Sequence, residues 1–99
     1  MKALKLEGVT VSEIDIDNTL ETLQKEVEGY IECLTLVPQK VAMIVNEEGR
    51  LCGMAPNLVA SAVAGVSIVG PAVVVGIDDE DFCDIPEEYA RRIKLRWVR

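Results

Sequence analysis

Apolar residues in the first sixteen positions fall into two groups, Ala3, Leu4 and Leu6, then Val9, Val11, Ile14 and Ile16, with Glu7-Gly8 between them. Their partial alternation with polar neighbours predicts two short strands joined at Glu7-Gly8. From Asp17 the period lengthens: Leu20, Leu23 and Val27 recur at helical spacing. Asn18 with Glu21 three residues on reads as a capping box, and Gly29 as the residue after the helix end, so a helix is expected over 19–28. Tyr30 to Val37 returns to strand character and stops at Pro38, and Val41 to Val45 is an apolar run of strand length. Asn46-Glu47-Glu48-Gly49 then reads as a turn, with glycine where a positive φ is needed, and Arg50 to Met54 as the returning partner strand. Pro56-Asn57 opens a second helix, LVASAVAG, with Gly65 as its stop. Ser67 to Val69 is short and extended, and Gly70-Pro71 ends it. Ala72 to Ile77 (AVVVGI) is the strongest strand signal and belongs at the centre of a sheet. Pro86-Glu87-Glu88-Tyr89 starts a last helix. Beyond Arg91 the segment RIKLRWVR alternates strictly while Tyr89, Ile93 and Trp97 keep a four-residue repeat, so a helix turning extended near Leu95 is expected. The fold class that follows is α+β: a single small domain over 1–99, with a mixed, mainly antiparallel sheet and two or three helices.

Composition narrows this picture. Aliphatic residues must build the core, because aromatics make up only 4% of 99 residues while the hydrophobic fraction is 49%. The net charge of -7, from 17 acids and 10 bases, lacks the electrostatic footprint of a nucleic-acid binder, so direct nucleic-acid binding is not expected. The charge is polar along the chain. Residues 78–88 carry seven acids and no base, and 91–99 five bases and no acid. Such poles are solvated or paired within the chain in the plainer reading, and serve self-association in the sharper one, which makes a homo-oligomer the expected state. Leu51 to Ile77 holds no charged residue, yet its glycines and prolines and the four acids that follow argue for a buried helix and strand, not a membrane span. Three cysteines without a C-x-x-C pair, and no histidine, point away from a disulfide scaffold and toward a cytoplasmic setting. Lack of histidine also removes the common zinc sites and the Ser-His-Asp and Cys-His arrangements within one chain.

Candidate chemistry gathers at a few places. Glu47 and Glu48 are adjacent carboxylates that suit acid–base work or a hard cation, although adjacent side chains on a turn usually diverge into solvent. Tyr30 and Glu32 bracket a strand start and can line one cleft. Pro56-Asn57, with Arg50 nearby, forms the one corner suited to an anion, through a helix N-terminus; the plainer reading is that Asn57 caps its own helix. Cys33 and Cys52 read as small core residues, and Cys83 as a thiol whose pKa the surrounding acids raise. The acids at 78–84 lack the spacing of an EF-hand loop. No catalytic residue, metal site or cofactor is assigned.

Several phrases, in order, carry a family likeness: IDNTLETLQKEVEGYIE, NEEGRLCGMAPN and IVGPAVVVGIDDEDFCDIPEE. Together they resemble the domain-of-unknown-function family numbered thirty-eight forty-six, over about residues 2–92. The resemblance implies a small stand-alone accessory protein of bacteriophages and mobile elements. Carried over by position, its signature falls on Gly29, Tyr30, Ile31, Glu32, Asn46, Glu47, Glu48, Gly49, Pro56, Asn57 and Gly70. Leu58 departs from it, standing where a basic residue is frequent, which weakens a phosphate site at that corner. The expected function is therefore non-enzymatic binding of a nucleotide-like small molecule, which would sequester a host defence signal. The ligand would lie in a cleft of Tyr30, Glu32, Asn46, Glu47 and Asn57, with Glu48, Arg50 and Pro56 as neighbours. The alternative is an acidic interaction module or DNA mimic occupying a basic host protein. A metal-dependent hydrolase using Glu32, Glu47 and Glu48 is a third, minor reading.

Overall fold

A computed structural model describes residues 1–97. Strands β1 (Lys2–Glu7) and β2 (Thr10–Asp15) form a hairpin, and β3 (Ile31–Val37) and β4 (Val41–Asn46) form another. Strand β5 (Ala72–Asp78) lies between them, giving the order β2-β1-β5-β4-β3, and the short β6 (Asp81–Cys83) pairs back on β5. The fold is α+β with three helices and a mainly antiparallel sheet, as expected, and every pairing between these strands is antiparallel. Helix α1 (Leu20–Val27) covers one face; α2 (Leu58–Ala64) and α3 (Glu87–Trp97) cover the other.

Both faces of the middle strands are thereby buried, which explains why β4 and β5 read as unbroken apolar runs in an antiparallel sheet. Leu4, Leu6, Met43 and Val74 pack toward α2 and α3 with Ala90 and Ile93. Ala3, Ile44, Val73 and Val75 pack toward Leu23 and Val27 of α1. The uncharged stretch from Leu51 is split by turns into α2 and β5, and no helix among the described residues is long and apolar enough to cross a membrane.

Several local expectations change. Arg50–Met54 is a coiled turn, not a strand: Cys52 N–H bonds Glu48 O at 2.9 Å and Met54 N–H bonds Gly49 O at 3.0 Å. Both edges of β4 are already taken, by β3 and β5, so a returning strand would have nowhere to pair. Thr19, not Asn18, caps α1, its hydroxyl accepting from Thr22 N–H, while Asn18 donates to Phe82 O at 2.8 Å and ties α1 to β6. The left-handed residue ending α1 is Glu28, at φ 65°, not Gly29. Gly29 instead provides room, since a Cβ there would stand 2.6 Å from the Asn46 side-chain nitrogen. Gly49 likewise has no positive φ; it sits within contact of Val69. Helix α3 continues to Trp97 without turning extended, because Ala90, Ile93 and Trp97 share the stripe that meets the sheet; Val98 and Arg99 lie outside the described residues. Cys33 and Cys52 are exposed and not core residues, one on the outer strand and the other on the coiled turn.

Candidate functional site

The side of the sheet that carries α2 ends in a cleft beside β3 and β4. Glu32 and Val45 are direct cross-strand partners there, and Leu34 continues the apolar floor toward the sheet. One wall is the turn from Asn46 to Leu51, the other the segment Val66–Val69 that follows α2. The Arg50 guanidinium bridges the walls by donating to Ser67 O at 3.2 Å. Gly49 is buried against Val69, which keeps the two walls close. The cleft has a volume of about 320 Å³.

Its turn is fixed from beneath. Asn46 is buried and spends its side chain within the fold: the amide nitrogen donates to Val27 O at 3.1 Å and the amide oxygen accepts Glu48 N–H at 2.7 Å. The first bond satisfies a carbonyl that the end of α1 leaves without a helical partner. The second is an Asx turn, the local bond that suits asparagine to this position. Glu47 N–H adds a bond to Tyr30 O at 2.8 Å. With the backbone held in this way, Glu47 and Glu48 project exposed at the rim, and no ion pair among the described residues engages them, Glu32 or Arg50.

Five of the eight candidate residues therefore line one cleft: Glu32, Asn46, Glu47, Glu48 and Arg50. Three do not. Tyr30 is 64% exposed beside the strand start, where its ring does not contribute to the lining. Pro56 precedes the α2 cap and bridges to Val69. Asn57 is 1% exposed and faces the interior. Its amide nitrogen donates to Leu6 O and Gly70 O, each at 2.8 Å, and its oxygen accepts Ala60 N–H at 3.0 Å. Those bonds use the groups that an anion or ligand would need, so the plainer reading of Asn57 describes its geometry. Sequence reasoning missed the floor and far wall, Leu34, Val45 and Val66 to Val69. Of the apolar lining residues only Val45 and Ile68 are buried, while Leu51 and Val66 are strongly exposed, and exposure has no signature in sequence.

Chemically the cleft offers an apolar floor, three carboxylates and one guanidinium, an arrangement that accepts hydrogen bonds from a ligand and carries a net negative rim. Among the described residues no group of His, Cys, Asp and Glu side chains is gathered to hold a metal ion. The thiols lie elsewhere. Burial pushes the Cys83 thiol pKa up, with Asp78, Asp84 and Asp81 adding in the same direction, and burial alone raises that of Cys33.

Fold and cleft together define a small α+β domain, one antiparallel sheet between helices with an open site beside its outer hairpin. The chain belongs to the family described as Domain of unknown function (DUF3846), matching it over residues 1–97. Comparison with curated proteins gave no match, and comparison with solved structures gave none.

Proposed function

We propose that this chain is a non-enzymatic binding protein whose β3–β4 cleft takes a nucleotide-like small molecule by its base. The observation that carries the reading is the convergence of Glu32, Asn46, Glu47, Glu48 and Arg50 on one apolar-floored cleft whose turn is already held in place. A planar ring lies on Leu34 and Val45, the carboxylates accept from its N–H groups, and Arg50 meets an anionic end. Three carboxylates against one guanidinium favour a ligand with one phosphate or a cyclic phosphate over a triphosphate, by simple charge repulsion. Retention without turnover suits sequestration, in keeping with the accessory role in phages and mobile elements that the family resemblance implies. Isothermal titration against cyclic nucleotides and ADP-ribose nucleotides tests it. Binding that weakens about tenfold in Glu32→Gln, the loss of one charge-assisted hydrogen bond, is expected. Heat signals that stay absent at millimolar ligand overturn the reading.

A second reading has its own observation. Asp78, Asp79, Glu80 and Asp81 are all exposed on the β5–β6 turn, and no ion pair among the described residues involves them. Such a tip suits attachment to a basic protein surface. Salt-sensitive capture of a purified basic protein, lost when the four acids become Asn or Gln, is the expected result.

A further inference from the structure

A second cleft, of about 250 Å³, runs between α2 and α3 and is lined by Ala62, Val63, Tyr89, Arg92, Arg96 and Trp97, with Ile93 at its base. It is the reverse of the first in charge, presenting two guanidinium groups and two aromatic rings in a protein of net charge -7. The spacing explains it. Positions 89, 92, 93, 96 and 97 lie along one side of α3, where Ile93 is buried and Tyr89 and Trp97 are half-buried against the core. Arg92 shares Glu88 at 3.3 Å, but both side chains are largely exposed, so this pair holds the guanidinium only weakly. Tyr, Trp and Arg are the residue types that dominate the energetics of protein–protein contacts, which favours a protein partner over a free anion.

We propose that this cleft receives the acidic β5–β6 turn of a second copy of the chain, so that the molecules associate head to tail. The inference rests on the second reading above and names its partner. Charge complementarity carries it: the turn from Asp78 to Asp81 is a narrow two-stranded projection bearing four exposed carboxylates, and the cleft supplies Arg92 and Arg96. The turn does not meet the cleft of its own chain. It projects from the end of the sheet where Ile77 N–H bonds Lys40 O, whereas α2 is anchored at the opposite end, by Val59 N–H on Gly8 O. Because the two surfaces differ, the contact is heterologous and builds a ring or a filament, not a two-fold dimer. The contact involves few residues and exposed charges, so it is weak and sensitive to salt.

Trp97 is the single tryptophan and lines the cleft, so its fluorescence reports occupancy directly. Analytical ultracentrifugation and Trp97 emission of the purified chain, followed against protein concentration at 20 mM and 500 mM NaCl, form the test. Self-association with a matching emission change at low salt, lost at high salt, is expected. Asp79→Lys/Glu80→Lys and Arg92→Glu/Arg96→Glu each abolish it alone, and an equimolar mixture restores one-to-one pairs but not longer assemblies, because the native acidic turn of the arginine variant still meets the native cleft of the turn variant, whereas the altered turn, with two acids and two lysines, is neutral. Arg96→Glu by itself, which leaves the Glu88 pair intact, reproduces the loss if the double variant unfolds, and thermal melts identify that case. A chain that stays monomeric at low salt, or association that survives either reversal, overturns the proposal. Failure here alongside salt-sensitive capture of a basic protein removes only the second copy as partner; failure of both removes the reading beneath it.

Discussion

Asn46 and Asn57 are the two buried polar residues of the described chain, and they stand at similar junctions, one closing a strand and the other opening a helix. Each ties distant segments together through its amide. Asn57 does so entirely inside the protein, joining β1, the Gly70 carbonyl and the first turn of α2. Asn46 does so at a surface: it fixes α1 from below while the carboxylates that follow it stay free above. A shared residue type and a shared degree of burial thus serve different ends. What separates them is whether the neighbours of the amide face water.

That difference can be tested by removing each amide in turn. Asn57→Ala strips two carbonyls and one helix N–H of their partner, and should cost the most, about 3–4 kcal/mol of stability in urea unfolding. The cleft of molecules that remain folded should keep its ligand affinity. Asn46→Ala should cost less, about 2 kcal/mol, because it leaves two groups without their partner instead of three, but it should weaken binding in the β3–β4 cleft by loosening the turn. Gly29→Ala should imitate it with the amide still in place, since the new methyl displaces Asn46 from Val27 O. Equal effects of Asn46→Ala and Asn57→Ala on affinity would erase the distinction between the two corners.

The smallest effect lies away from both and serves as their baseline. Glu13 on β2 pairs with Lys94 of α3 at the surface, and the ammonium beside it holds its carboxyl pKa below the ordinary 4.5, by hydrogen bonding first and charge second. A depressed folded-state pKa means the pair's stabilising contribution is present above the unfolded value and fades as pH falls through the folded one. Glu13→Gln should therefore lower the melting temperature slightly at neutral pH, and the difference from the native chain should close in acid. Each corner's effect should exceed this one clearly.

The strands, the β1–β2 hairpin, the helix stripes and the central place of β5 were legible because burial on two faces or one writes its period into the chain, whereas the β3–β4 pairing was not read. The coiled turn at Arg50–Met54 was not, because its fate depends on β4 having both edges filled, a fact about distant strands. Helix α3 misled for a related reason: strict alternation and a four-residue repeat coexist in RIKLRWVR, and only the sheet surface beneath chooses between them. At the site, Glu47, Glu48 and Arg50 could be read as a group because they are close in sequence around one turn, while Glu32 joins them only through the β3–β4 pairing. Asn57 was misplaced because a cap that faces inward and one that faces a ligand share the same local residues. Leu34, Val45 and Val66 carry no sign of forming a cleft floor, since an aliphatic side chain looks the same beneath a ligand as beneath a helix.

The insertion of β5 between two finished hairpins has a consequence for the chain before it is folded. Each hairpin closes over short range, but β5 must pair with Leu4–Leu6 on one side and Val41–Ile44 on the other, far away in sequence. Until it arrives, β1 and β4 each present an open apolar edge, and residues 72–77 of β5 form an uncharged run centred on three valines, the composition that stacks most readily into cross-β aggregates. Asp78, Asp79, Glu80 and Asp81 follow that run directly. Repulsion between them makes two such strands poor partners for one another, so the acidic turn also acts as a gatekeeper for the strand that completes the sheet.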